Sequence, residues 1–190
     1  MLGLIRLVQA NYSQSSSRYD RYLDRDVAPV FDPSLSGGAL YDLNVYNLSL
    51  IISLFGRPQS ASYAANIGFN GIDTSGILTL RYDGFVASAA AAKDSMSPSF
   101  FMIQGESGWI HAEGTPNELR SFTVGLRGKE PRTYALNRYE HRMVHEFEAM
   151  RDIFERGDYA RAEEGLHTTR TVMAVMEKAR LMAGIQFRAD

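Results

Sequence analysis

Asp42 and Tyr46 stand four residues apart in Gly37-Gly38-Ala39-Leu40-Tyr41-Asp42-Leu43-Asn44-Val45-Tyr46. On a helix that spacing stacks a carboxylate and a phenol on one face. The glycine pair opens the segment, so both groups lie near a helix N-terminus, whose partial positive charge favours an anion. A phenol with an unperturbed pKa of about 10 can exchange a proton with a substrate hydroxyl when a nearby cation stabilises its phenolate. The same residues admit a plainer reading, in which Asp42 complements the helix dipole and Tyr46 is a core aromatic.

Other chemistries find little support. His141 and His145 are four apart, but Glu146 follows them instead of falling between them as His-Glu-x-x-His requires. They read as a solvated or packing pair, His111 and His167 have no spaced partner, and no metal is assigned. Gly37-Gly38 is a bare pair and residues 125–128 lead through Pro131 into another strand, so no phosphate-cradling loop is present. The Gly-x-Ser-x-Gly elbow is absent, which leaves hydrolase readings unsupported.

The 190 residues carry Lys+Arg 20 against Asp+Glu 22, a formal net charge of −2. So even a balance gives no field to gather a phosphate backbone or anionic lipid, and neither nucleic acid nor membrane is expected as a partner. Hydrophobic content of 45% suits one folded domain spanning residues 1–190. The absence of cysteine excludes disulfides and thiolate chemistry and fits a cytoplasmic location. The longest strongly apolar stretch, 48–55, is far short of the roughly 20 residues of a spanning helix. The run 2–8 is broken by Arg6 and reads as a strand, not a signal peptide.

Residues 2–12 suggest that extended segment, and 13–36, with a serine cluster and alternating Asp and Arg, reads as a long loop of the kind that serves as a lid or binding loop. Apolar residues recur at helical spacing over 37–55, and Gly56 and Pro58 supply the stop. Short β-type runs follow at 60–69, 75–82, 85–93, 100–104, 109–113, 119–126 and 132–136, with Asp83-Gly84 as a type I′ hairpin signal. Helical patterning returns over 139–157 and, capped by Asp158, to about 182, before a closing strand or tail at 184–187. This order predicts an α+β fold, an open, mainly antiparallel sheet with helices packed on one face. The alanine run 89–92 would let another layer approach closely, and apolar residues at successive positions predict self-association through the sheet face away from the helices.

At residue level the chain resembles the C-terminal substrate domain of the Gfo/Idh/MocA oxidoreductases, the family of glucose-fructose oxidoreductase, inositol 2-dehydrogenase and dihydrodiol dehydrogenase. Gly3-Leu4-Ile5-Arg6-Leu7-Val8-Gln9-Ala10 resembles the family's first strand after its Rossmann domain. The segment from Gly37 to Tyr46 is similar to its Gly-Gly-x-Leu-x-Asp-x-Gly-x-Tyr/His helix. Gly105-Glu106-Ser107-Gly108-Trp109-Ile110, the helix from Tyr139 to Gly157 and the ending Gly184-Ile185-Gln186-Phe187 resemble later family elements.

The resemblance implies the C-terminal part of a longer oxidoreductase that transfers hydride between NAD or NADP and a hydroxyl-bearing carbon of a sugar, polyol or diol. It implies that the cofactor is bound mainly by a Rossmann domain outside this chain, which would also carry a Glu-Lys-Pro lysine, and that the isolated chain is inactive. Asp42 and Tyr46 match the family's substrate-side aspartate and its acid/base, while Asn44 departs from the common glycine. Arg18, Tyr19 and Tyr22 in the long loop, with Asn44, are candidates for substrate contact; a solvated loop is the other reading. A homodimer or higher oligomer is expected, and the alternative function is a non-catalytic ligand-binding or oligomerisation module of the same fold.

Overall fold

Alternating apolar residues make β1 (Ile5–Ser13) an inner strand, with Val8, Ala10 and Tyr12 turned into the core. The computed structural model describes residues 1–188. After β1 the chain leaves the sheet through α1 (Tyr19–Leu23), two 3-10 turns (Pro29–Phe31 and Pro33–Leu35), a π turn (Leu40–Asn44) and α2 (Val45–Phe55). It returns as β2 (Ser60–Ile67), β3 (Asp73–Arg81) and β4 (Val86–Ala92), then continues as β5 (Phe100–Gly105), β6 (Gly108–Glu113), β7 (Phe122–Leu126) and β8 (Arg132–Tyr134). Two helices follow, α3 (Met143–Arg156) and α4 (Tyr159–Met182).

The strands form one sheet in the order β2-β3-β4-β1-β5-β6-β7-β8. Among the described residues only β1 and β4 run parallel, with Val8 opposite Ala87, and every other pair is antiparallel. This is the α+β, mainly antiparallel open sheet that the sequence predicts. One face is closed by α2 and the second half of α4, which bury Leu48, Ile51, Val172 and Met176 against Val8, Leu78, Leu80 and Ala87.

The alanines of β4 have a use inside the chain. Ala89 and Ala91 point at the helix layer and are buried. Their small side chains let two amides reach the strand backbone: Asn44 Nδ2 donates to the Ala89 carbonyl at 2.9 Å and Asn47 Nδ2 to the Ala90 carbonyl at 2.9 Å.

Several expectations change in detail. The segment 13–36 is not one loop, because α1 and the 3-10 turns fold around a small apolar core of Tyr22, Phe31 and Ile72. At Asp83-Gly84 the chain does turn between β3 and β4, but only Gly84 has positive φ, so the turn is not type I′. Residues 184–187 form no strand; Ile185 is buried and its carbonyl accepts from Arg180 Nη1 at 2.9 Å. The apolar stretch is also longer than 48–55: Pro33–Phe55 spans 23 residues at a mean hydropathy of 1.2, long and apolar enough by composition to cross a bilayer. Here it is divided among a 3-10 turn, the π turn and α2, with Leu40, Leu48 and Ile51 buried in the core.

Candidate active site

Backbone conformation comes first at this site. Gly38 has φ +109, and a Cβ there would fall 2.1 Å from Asp73 Oδ1; a Cβ on Gly37 would meet the Val30 backbone at 2.8 Å. Both positions therefore need glycine. Asp73, at the start of β3 and 1% exposed, accepts from the Leu40 N–H at 2.6 Å and from the Tyr63 hydroxyl at 2.7 Å. A buried carboxylate thus satisfies a free N–H at the start of the π turn. Burial pushes the Asp73 carboxyl above its ordinary value, against the pull of the Tyr63 and Leu40 hydrogen bonds.

The π turn Leu40–Asn44 carries Asp42, and α2 continues directly from it with Tyr46 in its first turn. Single π turns inside helices are frequent at functional sites. Asp42 is half open, and its Oδ2 accepts from Lys93 Nζ at 2.5 Å. Lys93 follows the last residue of β4, is 2% exposed, and also donates to the Val30 carbonyl at 2.8 Å. Burial pulls the Lys93 pKa down, and its pairing with Asp42 works the other way.

Tyr46 is 42% exposed, and its ring lies 5.8 Å from that of Tyr12, tilted by 55°. Tyr12 itself is enclosed, and burial raises the pKa of its phenol. Arg18 is exposed and shares a hollow of about 90 Å³ with Gln14, Ser16, Asp42 and Lys93. The fold thus gathers Arg18 and Asp42 at one opening and places Tyr46 one helical turn beyond Asp42.

Tyr22 and Asn44 lie elsewhere. The Tyr22 ring stacks on Phe31 at 4.7 Å and Phe69 at 4.5 Å, its hydroxyl donates to Asn70 Oδ1 at 2.7 Å, and it is 1% exposed. Asn44 is fully buried, with its amide on β4. Both support the site from behind and face nothing that could bind there. Tyr19 is half-buried against Tyr22 and Phe31. Lys93 and Tyr12 are the site neighbours that sequence reading missed; a lysine ending an apolar strand was the available signal for the first.

The amino-acid pattern of residues 1–111 matches the GFO/IDH/MocA C-terminal domain. The chain is 31% identical over 189 residues to the scyllo-inositol 2-dehydrogenase (NADP(+)) IolU of Bacillus subtilis, and 29% identical over 189 residues to the oxidoreductase YgjR of Escherichia coli K12. In both cases all of this chain aligns to 57% of the relative, so it spans little more than half their length. In fold it resembles an aldose-aldose oxidoreductase of Caulobacter crescentus solved with glycerol (TM-score 0.69, 18% identity, 94% of this chain and 54% of that one). It also resembles the 3-ketoreductase KijD10 of Actinomadura kijaniata solved with NADP and TDP-benzene (TM-score 0.70, 14% identity, 90% of this chain and 52% of that one). With more than half of its residues matching the family pattern, the chain belongs to the GFO/IDH/MocA C-terminal domain family.

Proposed function

We propose that this chain is the substrate-binding and acid/base half of an NAD(P)-dependent oxidoreductase acting on a hydroxyl-bearing carbon of a sugar, polyol or diol. The observation that carries this reading is the exposed Asp42–Tyr46 pair on the π turn and the helix that continues it. Bound NAD(P) supplies the hydride acceptor or donor. In the reducing direction the Tyr46 phenol gives its proton to the carbonyl oxygen as that oxygen becomes a hydroxyl; in the oxidising direction the phenolate takes it back. Asp42 accepts a hydrogen bond from a substrate hydroxyl and fixes its orientation, and Arg18 and Tyr19 flank the approach.

The dinucleotide itself belongs to a companion domain. The helix start opened by Gly37-Gly38 cannot cradle a pyrophosphate, because the Asp73 carboxyl already takes the Leu40 N–H and fills the space over Gly38. A companion domain would also account for the apolar stripe of α3, where Phe147, Met150 and Phe154 are exposed at helical spacing. The same reading makes the protein cytoplasmic and oligomeric. A non-catalytic oligomerisation module is favoured by one observation, the uncovered sheet face around Trp109 and Met102.

Titration calorimetry of the 190-residue chain with NAD and with NADP tests the division of labour. No binding in the low-micromolar range is expected, and a low-micromolar Kd would move the cofactor site into this chain. Steady-state turnover of the Tyr46→Phe variant of the whole oxidoreductase tests the chemistry.

A further inference from the structure

An ammonium group has three N–H donors and is costly to bury without partners. Lys93 is nonetheless almost fully enclosed, and Nζ gives one donor to Asp42 Oδ2 at 2.5 Å and one to the Val30 carbonyl at 2.8 Å. The Phe31 ring lies beneath it, 4.6 Å from Nζ to the centroid, close enough for a cation–π contact. Its backbone is fixed too: the N–H donates to the Thr74 carbonyl at 2.8 Å, and the carbonyl accepts from the Ser16 N–H at 2.9 Å.

The partner carboxylate is different, since the Asp42 side chain is 43% exposed. A rigid, buried cation therefore reaches out to a half-open anion. Oδ2 is occupied by the ammonium, whereas Oδ1 takes no side-chain hydrogen bond among the described residues. An ordinary surface ion pair leaves both partners free to rotate and contributes little. Here one partner cannot move, so the other is held in one orientation.

We propose that Lys93 is a positioning residue of the candidate site, holding Asp42 Oδ2 so that Oδ1 is the oxygen presented to the substrate hydroxyl. This rests on the reading of Asp42 and Tyr46 given above. Lys93 touches no reacting atom; it acts through Asp42 and, by way of the Val30 carbonyl, ties that carboxylate to the turn Pro29–Phe31. The pair is also internally neutral, which leaves Arg18 as the net charge of the shared hollow.

The test is a double-mutant cycle in the oxidoreductase that carries this chain, assayed by nicotinamide absorbance on its best polyol or sugar. Lys93→Met keeps the length of the side chain and removes the charge, and a misplaced substrate group commonly costs on the order of 100-fold. Lys93→Met is expected to lower kcat by about 10- to 100-fold with KM changed less than about threefold, and Asp42→Asn/Lys93→Met to be no worse than Asp42→Asn alone. Independent losses that multiply, or Lys93→Met within about twofold of wild type while Asp42→Asn is impaired, would overturn the positioning role and leave the function reading standing. Wild-type rates in both Asp42→Asn and Tyr46→Phe would remove that reading and this inference with it.

A second measurement needs neither activity nor the lysine variant. In the 15N-lysine-labelled 190-residue chain, Asp42→Asn should shift the Lys93 ammonium resonance and lower its titration midpoint, since the carboxylate opposes the effect of burial. An unchanged resonance and midpoint would show that the two groups are not paired and overturn the proposal.

Discussion

Asp73 occupies the space that a side chain on residue 38 would need: a Cβ built on Gly38 falls 2.1 Å from Asp73 Oδ1. The glycine and the buried carboxylate are two halves of one device, which starts the π turn and so aims Asp42. Gly38→Ala must combine positive φ with that clash, and is expected to cost about 2 kcal/mol or more. Urea unfolding of the 190-residue chain measures this as a lowered midpoint at unchanged slope.

Asp73 also gives the chain a pH signature. Its folded-state pKa is raised by burial, so the folded chain binds that proton more tightly than the unfolded chain does. Stability from this group is then fully present below the unfolded pKa of about 4 and is lost as pH rises through the folded value. Asp73→Asn cancels the effect and leaves other titrations, such as that of Asp94, in place. The stability of wild type relative to Asp73→Asn should therefore fall as pH is raised from about 4. A difference that stays flat with pH in urea titrations would mean that burial does not shift this carboxyl.

Asn44 is expected to affect stability and not substrate contact. It is fully buried and donates to the Ala89 carbonyl, so Asn44→Ala leaves that strand carbonyl without its side-chain donor and opens a small void. The loss should be about 1 to 3 kcal/mol, read from thermal unfolding. In the intact oxidoreductase KM should stay within about twofold, and a large rise in KM alone would return Asn44 to the list of substrate contacts.

How much of this was legible depends on how local each cause is. The strands, and α2 together with the π turn that leads into it, were found to within a few residues, because alternation, helical spacing and glycine stops are written over short windows. Asp42 and Tyr46 stood out for the same reason, as a motif within ten residues. Lys93 showed only as a lysine ending an apolar strand, because its partner is 51 residues away and the two meet where the π turn packs on β4, which no local pattern encodes. Tyr22 illustrates the opposite error: its polar, serine-rich neighbourhood suggested a loop, but rings from Phe31 and Phe69 close over it.

Self-association should use the sheet face that α2 and α4 leave open. Met102, Trp109, His111 and Arg127 line a broad concavity of about 530 Å³ there, and Ile77 and Val86 are exposed farther along the same face. The alanine run no longer motivates the idea, since Ala89 and Ala91 serve the helix layer. Light scattering at micromolar concentration is expected to give a dimer or larger, and Trp109→Glu to shift the mass toward monomer. A monomer mass across a wide concentration range would count against any such interface.

The last prediction separates two phenols whose rings are 5.8 Å apart. Tyr46 is exposed and Tyr12 is not, so Tyr46 can meet a substrate oxygen and Tyr12 can only support it. Proton transfer by a positioned side chain contributes on the order of 100- to 10,000-fold, and Tyr46→Phe in the whole oxidoreductase should lower kcat within that range. Phenylalanine keeps the ring against Tyr12, so the unfolding midpoint should barely move. Tyr12→Phe also deletes only a hydroxyl, but one whose pKa burial has already raised, which makes it a poor proton carrier near neutral pH. Its kcat is expected within about fivefold of wild type, below the 100-fold floor of general acid–base catalysis. If the two losses are exchanged, with Tyr12→Phe nearly inactive and Tyr46→Phe normal, the proton passes through the buried phenol and Tyr46 is only its cover.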